Sequence, residues 1–247
     1  MARTTAGTRT PANMRTPAGT RTAITGSITA PSSISGLSLW FKADVIAGLN
    51  DGDAISTWLD SSGNGLNATQ TATARPLYKT NILNSLPIAR FDGSNDRMDI
   101  AGSPSVASIF VVSNWTGASV FPSDFRGMFG RAAGGRSVLF GRNAEKNIGS
   151  ALTGATTNVR VNGSASGSVK SFIPLTSFKI SYTDTATPII GESGWYIASG
   201  DSNNLYWQGD IAEVIVYSTQ LTNVQRAGVE GYLCNKYGIP VPNNRRG

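Results

Sequence analysis

The chain has 247 residues, enough for one large β domain with an extension, and its 28 glycines and many Ser, Thr and Asn residues suit numerous strands joined by tight turns. It contains no histidine and a single cysteine, Cys234, which excludes Ser-His-Asp and Cys-His catalysis, an internal disulfide and any cysteine-based zinc site. The net charge of +6 belongs to the ends: with Arg3, Arg9, Arg15, Arg21, Arg245 and Arg246 set aside, 15 basic residues stand against 15 acidic ones, so the body is neutral.

Residues 1–25 are an internal repeat. Arg3, Arg9, Arg15 and Arg21 recur every six residues, each followed by threonine. An even period keeps the four guanidiniums on one side of an extended chain, and a multiple of three does the same for a polyproline-like one. Pro11, Pro17 and the density of threonine disfavour a helix. Ordering about 25 such residues costs roughly 25 to 50 kcal/mol. The segment has almost no large apolar side chain to offset that cost. The expectation is therefore an extended arm laid along a partner protein, with the arginines bonded to carboxylates or carbonyls. Nucleic acid is the less favoured target, because no aromatic residue interleaves the arginines for base stacking. Arginines without an apolar core give no sign of a Sec signal peptide, and no apolar run approaches the roughly 18 residues that span a bilayer.

Residues 26–36, rich in Ser and Thr with Pro31, read as a linker. Leu37 to Ala43 alternates as a strand and opens a domain expected to run from 37 to 239. Further strands are expected at Ile55–Leu59, Ile88–Phe91, Arg97–Ile100 and Ser108–Trp115, the last continuous enough in its first half to be central. Gly127–Gly130, Ser137–Gly141 and Asn147–Leu152 read as a meander. Asn158–Val161 meets Asn162-Gly163, the strongest short hairpin signal in the chain. Alternation resumes through Phe172, Ile173, Phe178, Ile180 and Tyr182, then Ile189–Gly191 and Trp195–Ile197.

The stretch from Trp207 to Tyr217 is apolar on both alternating faces from Ile211 onward, Glu213 excepted, which suits a central strand covered on each side. A helix signature follows. Thr222 and Gln225 make a capping box, Leu221 takes the staple position, Gly238 is placed to end the helix, and Pro240 prevents its resumption. About a dozen strands and one helix fit two packed antiparallel sheets, a jelly-roll-like all-β sandwich.

Three stretches, Trp58 to Gly65, Arg90 to Asp96 and the strand-helix unit ending at Gly238, occur in an order and spacing that resembles laminin-G-like domains of the concanavalin A-like lectin/glucanase superfamily. That resemblance implies a concanavalin A-like sandwich over about residues 37–239. It also implies a range of roles, since such sandwiches serve as lectins, hydrolases and inert structural modules.

Hydrolysis needs two carboxyl groups facing each other across a cleft. The alternating acids of the hydrolase branches, Glu-x-Asp-x-x-Glu or similar, are missing here. Asp210 and Glu213 differ by three on a strand and are expected on opposite faces, while Asp92, Asp96 and Asp99 cluster about a turn. Glu213, a lone acid on a covered strand, is expected to pair with Arg90 or Arg97. Asp60 and Asn64 offer oxygen ligands for calcium, but the ordered acids of a calcium loop are missing and a turn held by side-chain-to-backbone bonds suffices to account for them. Trp115, Trp195, Tyr196, Tyr206 and Trp207 are the aromatics that a carbohydrate-binding surface would use, with Trp195 and Trp207 the foremost candidates, although core packing accounts for most aromatics at alternating strand positions. The sequons at Asn67, Asn114 and Asn162 carry weight only on a secretory route. Arg126, Arg131 and Arg136 among glycines lack the strand-loop-helix setting of a phosphate loop and read as a polar surface loop.

The expected function is structural: a bacteriophage virion component, best described as a capsid decoration protein without catalytic residues or cofactor. Its partners would be the major capsid protein or neighbouring decoration subunits, in a homo-oligomeric arrangement, with host glycans as a further contact. A tail or baseplate receptor-binding protein is the alternative, and a secreted glycan-binding or glycan-hydrolysing protein the third.

Overall fold

Fifteen strands and one helix build the described part of the chain, which in this computed structural model comprises residues 29–117, 126–132, 136–142, 147–150, 158–165, 177–200 and 205–240. The arm with its four repeat arginines, the first linker residues, Ala151 and Leu152, Phe172 and Ile173, and the tail beyond Pro240 lie outside the described residues. In chain order the strands are β1 (Leu37–Lys42), β2 (Thr57–Trp58), β3 (Ala68–Thr69), β4 (Leu77–Leu83), β5 (Leu86–Asp92), β6 (Met98–Ile100), β7 (Val106–Trp115) and β8 (Arg126–Arg131). They continue with β9 (Arg136–Arg142), β10 (Asn147–Ser150), β11 (Asn158–Val161), β12 (Ser164–Ala165), β13 (Lys179–Ile189), β14 (Trp195–Ile197) and β15 (Gln208–Tyr217), followed by helix α1 (Asn223–Tyr237).

Two antiparallel sheets form a β-sandwich. The larger runs β12-β11-β13-β7-β15-β5-β4, with β1 also paired to β15, and the smaller runs β10-β9-β8-β14-β6-β3-β2. Strand β15 is central, as its two apolar faces require. One edge pairs with β7 along its length, and the other is shared, with β5 taking residues 208–211 and β1 taking 213–217. Its inward residues Ile211, Val214 and Val216 join Phe41, Ile109 and Val111 against Trp58, Phe129 and Trp195 of the smaller sheet. Its outward residues Ala212, Ile215 and Tyr217 meet Phe110, Val112 and the helix residues Val229, Leu233 and Tyr237. Burying each such large side chain contributes about 1.5 to 3 kcal/mol.

The helix forms where its end signals place it. The Thr222 hydroxyl accepts from the Gln225 N–H at 3.3 Å, and the Gln225 side chain accepts from the Thr222 N–H at 2.9 Å. Gly238 closes it in the left-handed conformation with φ +65°. Val229, Leu233 and Tyr237, four residues apart, form the stripe that lies on the larger sheet.

One irregularity redirects a side chain. Between Ile211 and Glu213 the register of β15 against β7 shifts, leaving Ala212 as an extra residue. Ile211 and Val214 still face the other sheet while Ala212 joins the helix-side cluster, so Glu213 turns to the helix side as well. Asp210 pairs across the sheet with Arg90, which follows the helix-side residue Ile88 by two and shares its face. The expectation that Asp210 and Glu213 point to opposite faces is thus corrected: the bulge flips the parity and both face the helix.

Candidate functional site

Trp195 and Trp207 have no exposed surface. Trp195 stacks on Phe129 with ring centroids 5.4 Å apart, and its Nε1 donates to the Glu192 carbonyl at 2.9 Å. Trp207 packs edge-on against Trp115, and its Nε1 donates to the Asn114 carbonyl at 3.2 Å. The expectation that they form a carbohydrate platform is corrected, because the inward phase of each alternating segment carries both rings into the core.

The aromatic that reaches the surface is the neighbour. With Trp195 and Ile197 inside, Tyr196 faces away from the core, and the same alternation turns Asp99, Thr69 and Thr57 outward on the adjoining strands. Strand register aligns them as one row, Thr57 beside Thr69, Thr69 beside Asp99, Asp99 beside Tyr196. Arg97 lies over this row. Its guanidinium sits 4.5 Å from the Tyr196 ring centroid, and its Nε donates to Asp99 at 2.7 Å. The result is a half-exposed patch of one aromatic face, one cation, one carboxylate and two hydroxyls on the sheet that bears no helix. Tyr196 is among the aromatics the sequence offers, and the row it forms with Arg97, Asp99 and the threonines depends on strand pairing that the sequence does not mark.

Asp60 and Asn64 are spent on the loop that holds them. Asp60 Oδ1 accepts the N–H groups of Trp40 and Ser62 at 3.0 and 2.9 Å, and Oδ2 accepts the Ser62 hydroxyl and the Leu66 N–H at 2.7 and 3.2 Å. The Asn64 amide donates to the carbonyls of Leu37 and Ser38, both at 3.0 Å. These are the side-chain-to-backbone bonds of a structured turn. Among the described residues, no three His, Cys, Asp or Glu side chains gather as a metal-binding group.

The buried acids are engaged in the same manner. Asp210 receives a two-pronged bond from Arg90 at 2.7 and 3.1 Å. Glu230 pairs with Arg226 at 2.9 Å. Asp184 accepts the Tyr182 hydroxyl at 2.6 Å, and Asp96 accepts the Asp92 N–H at 3.0 Å. Glu213 does not pair with Arg90 or Arg97, which is a second correction. Arg90 serves Asp210 and Arg97 serves Asp99, and the partner of Glu213 is Lys236 near the end of the helix, at 2.8 Å. Trp40 Nε1 and the Tyr237 hydroxyl donate to the same carboxylate at 2.6 and 2.7 Å.

Burial and the neighbouring Asp92 push the Asp96 carboxyl up to about 6. Burial pushes the half-buried Cys234 thiol up to about 11, leaving it a poor nucleophile at neutral pH. Arg126 and Arg131 are the end residues of β8, and Arg136 opens β9, so the expected polar loop is corrected to two paired strands. Arg131 bonds Glu192 at 3.4 Å and Arg126 donates to the Tyr206 carbonyl at 3.3 Å.

No protein-family model and no curated protein sequence matches the chain. Among solved structures it is similar to the sialidase of Trypanosoma rangeli. In complex with the inhibitor DANA that protein aligns at 13% identity and a TM-score of 0.44, and in complex with sialic acid at 12% and 0.42. The alignments cover 82% of this chain and 33% of the sialidase, so the chain spans about a third of that protein's length. At such values the likeness assigns neither family nor activity.

Proposed function

We propose that the chain is a non-enzymatic structural component of a bacteriophage virion, a capsid decoration protein. A laminin-G-like, concanavalin A-like sandwich projects from the shell and the arginine-threonine arm anchors it. The observation that carries the reading is the state of the buried acids. Asp96, Asp184, Asp210, Glu213 and Glu230 are each bonded within the fold. Facing carboxyls free to act as acid and base across a cleft, which glycoside hydrolysis requires, are not formed by these groups. A neutral body with basic ends supports the rest, since the charge available for docking lies in the arm.

Counting the protein in purified particles tests the reading. A decoration protein is present in many copies distributed over the shell. A few copies confined to the tail would contradict it.

A second reading is favoured by one observation, the outward row on the smaller sheet. Tyr196 with Arg97, Asp99 and Thr69 has the mixture of aromatic face and hydrogen-bonding groups that sugar recognition uses. In a tail receptor-binding protein this patch would read host glycans. Binding of the intact protein to host cells that Tyr196→Ala abolishes would establish that role, and binding unchanged by the substitution would remove it.

A further inference from the structure

We propose that Lys236 and Asp44 condense into an isopeptide bond within the folded chain, with Glu213 as the group that transfers the protons. The three side chains meet where the end of α1 lies over β15 and the short turn after β1. Lys236 Nζ is 2.8 Å from Asp44 Oδ1 and 2.8 Å from Glu213 Oε2. The Glu213 side chain has no exposure, that of Lys236 has 14% and that of Asp44 has 26%. Two donors other than the lysine, Trp40 Nε1 and the Tyr237 hydroxyl, hold the glutamate in place and are positioning groups. Two aromatic rings stand near the amine, with Nζ 5.1 Å from the Tyr237 centroid and 5.8 Å from that of Tyr232.

An ordinary surface ion pair stays ionic because water solvates both charges. Here Asp44 stands at the exposed rim, while Lys236 is mostly covered and Glu213 is fully buried, so on the amine side of the pair solvation is weaker and the neutral product is favoured relative to the ion. A lysine bonded to the oxygen of a fixed carboxyl is also at the edge of the carbon it would attack. Reacting groups held about 3 to 3.5 Å apart react as though at very high concentration. What an isolated pair lacks is a group to move protons, and the buried Glu213 supplies it.

The step balances without an oxidant or reductant. Glu213 takes a proton from the Lys236 ammonium, the freed amine forms a bond to Asp44 Cγ, and the tetrahedral centre collapses with loss of one Asp44 oxygen. That oxygen leaves as water, carrying two protons that began on the ammonium, the second also relayed by Glu213. One N–C bond replaces one C–O bond, and the opposite charges of Lys236 and Asp44 disappear together. The product ties the turn after the first strand to the last turn of the helix, across a sequence separation of 192. Tension applied along the chain across these two residues would then pass through a covalent link, bypassing the strands that lie between them in sequence.

The test is the mass of the intact full-length chain under denaturing conditions, followed by peptide mapping. The expected result is a mass one water below that of the sequence, and a branched peptide joining the segment holding Asp44 to the one holding Lys236. Lys236→Arg and Glu213→Gln are expected at their full sequence masses, with circular dichroism and a thermal melt showing that each still folds. A native chain at its full sequence mass overturns the proposal, as does a water lost within a single unbranched peptide. A bond that still forms in Glu213→Gln overturns the assignment of proton transfer to that residue.

Discussion

Asp96 carries the clearest pH signature among single residues. Its carboxyl titrates at about 6 in the folded protein, against about 3.9 in an unfolded chain. The folded state therefore holds the proton more tightly between those values, and stability from this group is present below about pH 4 and lost as pH rises through about 6. Asp96→Asn keeps an oxygen for the Asp92 N–H and cannot ionise, so the melting temperature of the variant should exceed that of the parent at pH 7 and match it near pH 4. Thermal denaturation at the two pH values checks this. Arg90 makes the opposite case. Asp210 is almost wholly buried beneath it, so Arg90→Ala strands a charge and should cost about 3 to 5 kcal/mol in a denaturant titration. Gly93 is fixed for a steric reason. Its φ is +76° and a Cβ there would lie 2.5 Å from the Gln208 Cβ, so Gly93→Ala should lose at least about 1 kcal/mol by the same measurement.

Elements divide by how local their signals are. Helix α1 was legible because its cap, staple and terminal glycine are neighbours in sequence, and the structure starts and stops it there. Thr222→Ala removes one side of the capping box and should cost about 1 kcal/mol of stability. The Asn162-Gly163 hairpin was legible for the same reason, both residues having positive φ. The hairpin joining β4 to β5 uses the same backbone with Asn84 at φ 49° and Ser85 at φ 61°, and a serine in place of the expected glycine hid it. Strand β4 was missed with it. The bulge at Ala212 had no local sequence mark at all. It arises where β15 changes partner from β5 to β1, a matter of three strands meeting, and it alone decides which face Glu213 takes. The partner of Glu213 was equally hidden, since Lys236 is delivered by the helix fold-back and by no feature of the strand.

For the whole molecule, the all-β sandwich was legible from alternation and turn density, and the central position of β15 from its two apolar faces. Which aromatics reach the surface was not. Alternation identifies two phases without saying which is inside, and the larger aromatic took the core, leaving Tyr196 and Arg97 outside. The covered sheet and the open sheet give the body two unlike sides. Helix α1 lies on the outer face of the larger sheet, while the outward row of the smaller sheet stays accessible. A decoration role uses this body as a stable projection whose attachment resides elsewhere. In the proposed role the repeat arginines carry that attachment, each hexad supplying one cation on one side of an extended chain.

The most direct measurement is co-sedimentation of the full-length protein with undecorated particles, set beside a chain in which Arg3, Arg9, Arg15 and Arg21 are all serine. The account predicts that the substituted chain melts at the parent temperature and stays in the supernatant. A substituted chain that sediments with the particles as fully as the parent would contradict it.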